Sequence, residues 1–399
     1  MKRNKKNAQG AGTIRKRSDG RWEARFTIGF DPVNGKQKQK SIYGKTQKEV
    51  REKLAQVTVE IDEGTYIEPC QMTLEEWMTI WLAEYMGDKK WSTIKHYKAQ
   101  VKSHILPALG HYPLSQLNPH IIQAFDNALL RGTGTEKPLT PKSVRNVHGV
   151  LRKCLAVAVQ LEYIRRNPAE PVILPRVEKK IIKPLTDEEV QKMICAAGDD
   201  GFGTLFKVVV FTGPRLGEAL GLTWDCVDFT KRRLTIDKQL QKRPIADGGF
   251  VFASLKNDKV RVVAPTPYAL DLLKEWEQRQ KEWRLKCGPE WQGWKNEKER
   301  RTALVFTNEF GGHLHPQTVY NHFKKLARSV GAPNARVHDL RHTYAVLSLQ
   351  NGDDVKTVQG NLGHATAAFT LDVYGHVSDR MKEDSANRMQ GYIESVSGL

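Results

Sequence analysis

The alternation of apolar and polar residues near the N-terminus predicts a small β-sheet followed by one helix. In residues 21–28 every second side chain is apolar, as in a strand with one buried face. Turn residues at 18–20 and 31–35 bound this strand, so we expect three short strands between residues 12 and 45. Thr46 and Glu49 then have the spacing of a capping box, which predicts a helix that ends at Gly64.

Helical periodicity dominates residues 72–165. Thr73 and Glu76 form a second capping box, and apolar residues follow at the i, i+3, i+4 spacing of a buried helix face. Two later helices are predicted to begin at Ser92 and Thr140, the second with proline at its first position. Residues 166–184 combine basic side chains with prolines, which predicts an extended linker.

The order of these elements predicts a multidomain fold. We expect a small three-stranded β-sheet plus helix in residues 1–70, an all-α domain in 71–165, the basic linker in 166–184 and an α+β domain in 185–399. Within the α+β domain, residues 232–240 and 250–264 are predicted to be hairpin strands, with a turn at 254–259. Residues 380–396 form a predicted tail helix whose apolar residues lie mostly on one side.

Composition narrows the class of protein. The chain has 399 residues and 39% hydrophobic content, which is typical of globular proteins. No apolar run is long enough to span a bilayer, and the charged N-terminus lacks the apolar segment of a secretory signal. Five scattered cysteines without a CxxC pair exclude a disulfide framework and a cysteine zinc site. We therefore expect a cytoplasmic protein with no membrane partner.

The net charge of +18 indicates a polyanion partner, most simply double-stranded DNA. Residues 1–45 contain 13 Lys and Arg against 3 Asp and Glu, a surplus of ten, and the small basic sheet predicted within them can lay its polar face into a major groove. Two helices of the all-α domain add basic stripes that favour phosphate contacts. The candidate DNA-contacting residues are Arg15, Arg21, Arg25, Lys36, Lys38, Lys95, Lys98, Lys102, Lys142, Arg145 and Arg152.

The first motif with candidate chemistry is TGPRLGE, at residues 212–218. It predicts a short helix whose first residue is Pro214. Arg215 and Glu218 are one turn apart, so the carboxylate can orient the guanidinium. Lys256 is expected in the turn of the predicted hairpin, and Lys259 is a near alternative for the same role.

The second motif, VHDLRHTY, predicts a helix with Leu340 and Tyr344 on its buried side. His338, Arg341 and His342 share the other side, where a buried structural role is not expected. His338 and His342 also have the i, i+4 spacing of metal ligands, but the glutamate that follows the first histidine in metalloproteases is replaced by aspartate. We therefore expect no metal and no cofactor.

The third motif, LGHATAAFTLDVYGHV, contains His364 and Tyr374. TGPRLGE, HDLRHTYA and this segment resemble the boxes of the tyrosine recombinase (phage integrase) family nearly letter for letter. The resemblance covers roughly residues 72–399. The N-terminal sheet is also similar to the arm-binding domain of integrases from Gram-positive conjugative transposons and related phages.

The resemblance implies an enzyme that cuts and rejoins DNA through a 3′-phosphotyrosyl intermediate, without metal or ATP. Arg215 and Arg341 would neutralise the charge that develops on the phosphate, and His364 would donate a further hydrogen bond. Tyr374 would be the nucleophile, and His338 would accept its proton.

The resemblance implies two further roles: protonation of the leaving group and positioning of an arginine. Lys256 would protonate the 5′-oxygen that leaves, although Lys259 stays open as the alternative. Glu218 would support Arg215.

The resemblance further implies that the protein integrates and excises a mobile element. Core-type sites would be bound by residues 71–399 and arm-type sites by residues 1–70, with a tetramer held through the tail helix and an excisionase as partner. Two alternatives remain: a type IB topoisomerase-like relaxing enzyme, and a regulator that binds DNA without catalysis. The arm-like sheet and the tail argue against the first, and the complete set of catalytic residue types argues against the second. Transposon or phage origin, and docking of the tail in cis or in trans, stay open.

Overall fold

The computed structural model describes residues 12–30, 35–63, 66, 70–132, 137–178, 183–256, 259–364, 366 and 379–397. The chain divides into two compact units, residues 1–179 and 180–399. In the part of the chain that is described, no helix is both long and apolar enough to cross a membrane.

An antiparallel sheet in the order β1–β2–β3 begins the first unit. Its strands are β1 (Thr13–Lys16), β2 (Trp22–Phe30) and β3 (Gln37–Gly44). Helix α1 (Gln47–Asp62) covers one face, where Ala24 and Phe26 pack against Val50 and Leu54. The predicted strands and helix are confirmed, whereas the helix end predicted at Gly64 lies outside the described residues.

A helical bundle completes the first unit. Its helices are α2 (Leu74–Glu84), α3 (Trp91–Gln100), α4 (Leu106–Leu109), α5 (Pro119–Arg131) and α6 (Pro141–Gln160). A π-helical turn at Val101–Ile105 joins α3 to α4, so the helix predicted from Ser92 changes its period there. The start of the predicted linker packs onto the bundle, because the Asn167 side chain donates to the Arg152 carbonyl at 2.8 Å.

The second unit combines helices with short strands. The strands are β4 (Val227–Asp228), β5 (Arg233–Ile236), β6 (Lys238–Lys242), β7 (Phe250–Ser254) and β8 (Arg261–Val263). They pair antiparallel as β4–β5–β8 and β6–β7, so the predicted hairpin divides into two sheets. The helices are α7 (Asp187–Ala196), α8 (Gly201–Thr212), α9 (Leu216–Leu220), α10 (Pro267–Cys287), α11 (Glu297–Arg301), α12 (Pro316–Ser329), α13 (Val337–Gln350), α14 (Val355–Leu362) and α15 (Asp379–Ser397).

The core of the second unit fixes the elements that position the motifs. Helix α8 is buried along its whole length except at Phe202 and Phe211, which are partly buried, and it packs with Leu340 of α13. Leu234 of β5 and Val305 belong to the same core. The first motif begins at the end of α8 and the second at the start of α13, and one close-packed core holds both helices in place.

Candidate active site

The first motif lies at the sharp junction between α8 and α9. Gly213 ends α8 with a φ of +69°, and a Cβ atom there would lie 2.4 Å from Cδ1 of Tyr344. Arg215 has extended backbone and is the N-cap of α9, so the expectation that Pro214 is the first helical residue is wrong. Gly213 is the left-handed C-cap of α8, and the chain is still extended at Arg215, so α9 begins only at Leu216.

Glu218 is buried and receives donors from two arginines. Its Oε1 accepts from Nη1 of Arg215 at 2.8 Å, as the one-turn spacing predicts, and its Oε2 accepts from the Arg215 backbone at 2.9 Å. Oε2 also accepts from Nη2 of Arg261 at 2.5 Å. Burial alone would raise the pKa of Glu218, but Arg261 and then Arg215 lower it to about 2. The carboxylate therefore stays ionised and holds both guanidinium groups.

Sequence reasoning missed Arg261, which connects the first and third motifs. Its side chain in β8 is 8% exposed, and its Nε donates to the Asn361 carbonyl at 2.8 Å. Gly363 has a φ of +63°, and a Cβ atom there would lie 3.2 Å from the Arg261 side chain. A single arginine in a short strand has no spacing signal, so only the folded structure identifies it.

Arg341 of α13 is also buried, which corrects the expectation for this residue, whereas His338 on the same side is exposed as expected. It is 1% exposed and donates to the carbonyls of Gly213 at 2.7 Å and Leu362 at 2.5 Å. His342 beside it is buried too. The last carbonyls of a helix have no intrahelical partner, so the ends of α8 and α14 supply acceptors that make burial of this cation tolerable.

The histidines of the site lie close to these arginines. The rings of His338 and His342 are 4.7 Å apart and nearly perpendicular. Desolvation by the surrounding protein and the Arg341 charge lower the pKa of His338, and burial with the neighbouring His338 lowers the pKa of His342 to about 4. Burial, Arg341 and then Arg215 lower the pKa of His364 to about 3. All three imidazoles are therefore neutral at neutral pH when no DNA is bound.

The remaining candidate catalytic residues come from the connection between β7 and β8 and from the third motif. Lys256 is exposed just after β7, and Lys259 is exposed before β8. Tyr374 lies outside the described residues. Among the residues that are described, no group of three or more metal-ligating side chains has the geometry of a metal site.

The candidate DNA-contacting residues of the sheet do not share one face. Arg15 is paired with Glu23, and Arg25 with Ser41, so these four side chains lie on the face away from α1. Lys38 alternates onto the opposite face, so its predicted DNA contact would be made from the other side of the sheet. Lys36 precedes β3, and Arg21 precedes β2 and pairs with Asp19 at 2.8 Å.

The candidate residues of the helical bundle are exposed, as expected. On α3 and the π-helical turn they are Lys95, Lys98 and Lys102, and on α6 they are Lys142, Arg145 and Arg152. The side chain of Arg145 donates to the Pro175 carbonyl at 3.3 Å, and that of Arg152 to Glu170 at 3.3 Å. Two of the α6 cations are thus already directed by the segment that follows the bundle.

Comparison with known proteins gives consistent matches along most of the chain. Residues 183–381 match the phage integrase family, and residues 73–130 match the N-terminal SAM-like domain of phage integrases. A tyrosine recombinase XerC-like protein of Caldanaerobacter subterraneus is 29% identical over 91% of this chain and 94% of its own length. The ICEBs1 integrase of Bacillus subtilis is 25% identical over 96% of this chain and all of its own length.

Solved structures show the same fold. The Tn1549 transposon integrase in complex with a circular intermediate DNA has a TM-score of 0.64 at 18% identity, over 80% of this chain and 99% of that one. A λ integrase tetramer bound to a Holliday junction has a TM-score of 0.55 at 18% identity, over 94% and 99%. With its arginine, histidine and glutamate motifs at one place in this fold, the chain belongs to the phage integrase family of tyrosine recombinases.

Proposed function

We propose that this protein is a site-specific recombinase that integrates and excises a mobile genetic element. The observation that carries the proposal is the cluster of Arg215 and Arg341 beside His338 and His364, with Glu218 holding the first guanidinium. Two guanidinium groups neutralise the charge that grows on the non-bridging oxygens of an attacked phosphodiester. The integrase relatives and the DNA-bound neighbours support the same reaction class.

The proposed reaction is two transesterifications. The Tyr374 hydroxyl oxygen attacks the phosphorus, His338 accepts the phenolic proton, and the bond from phosphorus to the 5′-oxygen breaks. Lys256 gives a proton to that 5′-oxygen, which leaves as a hydroxyl and yields a 3′-phosphotyrosyl bond. A 5′-hydroxyl from another strand then attacks this bond and restores the tyrosine. One ester replaces another at each step, so neither ATP nor a metal is needed.

DNA binding is proposed to be divided among the domains. Residues 1–70 bind arm-type sites, and residues 71–165 with 185–399 bind core-type sites on either side of the basic linker at 166–184. In α15 the exposed side chains of Met389, Tyr392, Ile393 and Val396 suit docking on a neighbouring subunit of a tetramer. An excisionase would set the direction of the reaction.

The test is covalent capture on a nicked duplex that carries an element end. Incubation with the parent protein should give a protein–DNA adduct that survives denaturing electrophoresis, with and without excess EDTA. Tyr374→Phe should bind the duplex as well as the parent does and form no adduct. Tyr320→Phe, at an exposed tyrosine of α12, is the matched control and should form it. An adduct with Tyr374→Phe, or one that requires a metal, would contradict the proposal.

A further inference from the structure

A buried carboxylate lies in the middle of the polar face of the N-terminal sheet. Glu23 is 1% exposed, although Arg15 and Arg25 beside it are 56% and 47% exposed. It accepts from Nε of Arg15 at 2.7 Å, from Nε of Arg25 at 3.1 Å and from the hydroxyl of Ser41 at 2.8 Å. The Ser41 hydroxyl and the Arg15 guanidinium lower the pKa of Glu23 to about 2, so the carboxylate is ionised at neutral pH.

Glu23 binds only the Nε atoms of Arg15 and Arg25, which leaves the Nη groups of both arginines for a ligand. Both use Nε on Glu23, and their Nη groups donate to no other residue within the described ranges. The pair of Nη groups is the fork that binds O6 and N7 of guanine in the major groove. An arginine whose Nε is already held loses less rotamer freedom when its fork binds a base.

We propose that Glu23 is a positioning residue that sets Arg15 and Arg25 to read guanines in duplex DNA. The proposal rests on the proposed function, in which residues 1–70 bind arm-type sites. Arg15 lies directly across from Glu23, and Arg25 lies two residues further along β2, so the two arginines are diagonal neighbours. Diagonal neighbours in a sheet are about 7–8 Å apart, which is about two base-pair steps along a duplex.

The negative charge of Glu23 favours specific over non-specific binding of DNA by this surface. A carboxylate near the DNA repels phosphates and weakens binding to every sequence, whereas the two arginines it orders strengthen binding to the correct one. The ratio of specific to non-specific affinity therefore rises at a cost in total affinity. Asp19 at the β1–β2 turn also contacts two arginines, but it accepts from Nη2 of Arg21 at 2.8 Å, so there the fork is not left for a base.

The test is selection from duplex DNA with a randomised segment of about one and a half helical turns. The full chain is used with Tyr374→Phe, so that no covalent capture occurs, and compared with the same chain carrying Glu23→Gln. The full chain can select more than one sequence motif. The double variant Arg15→Ala with Arg25→Ala identifies the motif that the sheet reads, because only that motif should disappear from its selection. Arg15→Lys with Arg25→Lys keeps both charges and removes both forks.

Glu23→Gln should still select the motif assigned to the sheet, but with a much weaker preference for guanine at its positions. The ratio of specific to non-specific affinity should be roughly tenfold lower. The variant's binding to random-sequence duplex should tighten, and the salt dependence should steepen by about one unit of slope. The double lysine variant should bind random duplex like the parent and also lose the guanines. Circular dichroism melting checks that each variant folds. If Glu23→Gln does not fold, Glu23→Asp takes its place, because the shorter side chain keeps the charge but cannot reach both Nε groups, and it should show the same loss of guanine preference.

An unchanged motif and an unchanged affinity ratio in Glu23→Gln would overturn the proposal. So would a parent protein that selects no motif dependent on Arg15 and Arg25. Neither result touches the proposed strand-transfer chemistry, which is judged separately by the covalent adduct on nicked DNA.

Discussion

Buried guanidinium groups hold the candidate active site together residue by residue. Arg341 and Arg261 donate to the adjacent carbonyls of Leu362 and Asn361, so the segment that leads to His364 is fixed from two sides. Arg261 also reaches Glu218, which orients Arg215. Substrate phosphate would therefore meet donors that are already placed, which is the condition for strong electrostatic stabilisation of a transition state.

Replacing Arg261 with methionine should slow cleavage without removing any group that touches DNA. We expect a loss of roughly 10–100-fold in single-turnover cleavage of a nicked duplex, as for other residues that act through a ligand-binding neighbour. The free energy of unfolding should fall by about 3 kcal/mol, because Glu218 loses one of its two cationic partners in a buried position. Arg261→Lys should recover part of the cleavage rate, because the ammonium can still pair with Glu218.

Arg233→Met in the neighbouring strand β5 is the matched control, because this arginine is exposed. Its cleavage rate and stability should stay close to those of the parent. Equal effects of Arg261→Met and Arg233→Met would show that the contacts of Arg261 do not position the site. Adding Glu218→Gln to Arg261→Met should cost much less than the sum of the two single changes, since both act on one contact.

The lowered pKa of His338 makes a prediction about pH. A neutral imidazole is needed to accept the tyrosine proton, so second-order cleavage with limiting enzyme should be lost at acid pH as His338 is protonated. The midpoint of this acid limb should lie below pH 6.5, because the pKa of His338 lies under its ordinary 6.5. His338→Gln should be slower throughout and should lack this acid limb. A limb that lies above pH 7 in the parent would contradict the proposed proton acceptor.

Single residues were predictable from sequence where they belong to a spaced motif. The ion pair of Arg215 with Glu218 is confirmed because i, i+3 spacing fixes it locally. The burial of Arg341 was not predictable, because its acceptors are Gly213 and Leu362, which come from other segments of the chain. Arg261 was not predictable for the same reason, because no local sequence pattern indicates a contact between residues that are 100 positions apart.

Among the secondary-structure elements, the junction between α8 and α9 determines where Arg215 lies. Gly213→Ala should destabilise the protein by roughly 2–3 kcal/mol, because the left-handed φ is strained for alanine and the new methyl meets the Tyr344 ring. Cleavage should also slow, because any relief of that contact moves Arg215. Differential scanning calorimetry and single-turnover cleavage measure the two effects.

Gly331→Ala is the matched control for this change. Gly331 also has a left-handed φ, of +86°, but no atom within 4 Å of an added Cβ. It should show only the conformational cost, about 1 kcal/mol, and normal cleavage. If the two variants behave alike, the contact with Tyr344 is not what fixes the junction.

Helix starts were predictable where side chains cap them, and helix interiors were less so. Thr73 forms the predicted reciprocal capping box with Glu76. Thr46 also caps its helix, but Glu49 bonds the backbone N–H of Lys45 instead of that of Thr46. The π-helical turn before α4 has no signal in the apolar spacing. It directly precedes a helix with Pro107 in its first turn, where the missing N–H breaks the regular hydrogen-bond ladder.

Over the whole molecule, the charge and the chemistry lie in different places. The surplus of positive charge is concentrated in the first 45 residues, whereas the described catalytic candidates lie beyond residue 212 in a unit whose charges nearly balance. Net charge therefore predicted a DNA partner but carried no information about the site. The motifs located the site, and only the fold showed that Arg341 and Arg261 are held by backbone carbonyls.

Removal of residues 1–70 tests the proposed division of DNA binding. The shortened protein should still form the covalent adduct on a nicked core-type site, because none of the candidate catalytic residues is lost. It should no longer protect a second, separate class of site in a footprint of an element end. The salt dependence of overall binding should become shallower by about one unit of slope for each phosphate contact removed. In the full-length protein, alanine substitution of Lys142, Arg145 and Arg152 should instead weaken core-type protection and leave arm-type protection unchanged. If the shortened and full-length proteins protect the same positions with the same salt slope, residues 1–70 do not bind DNA, and the sheet has some other role.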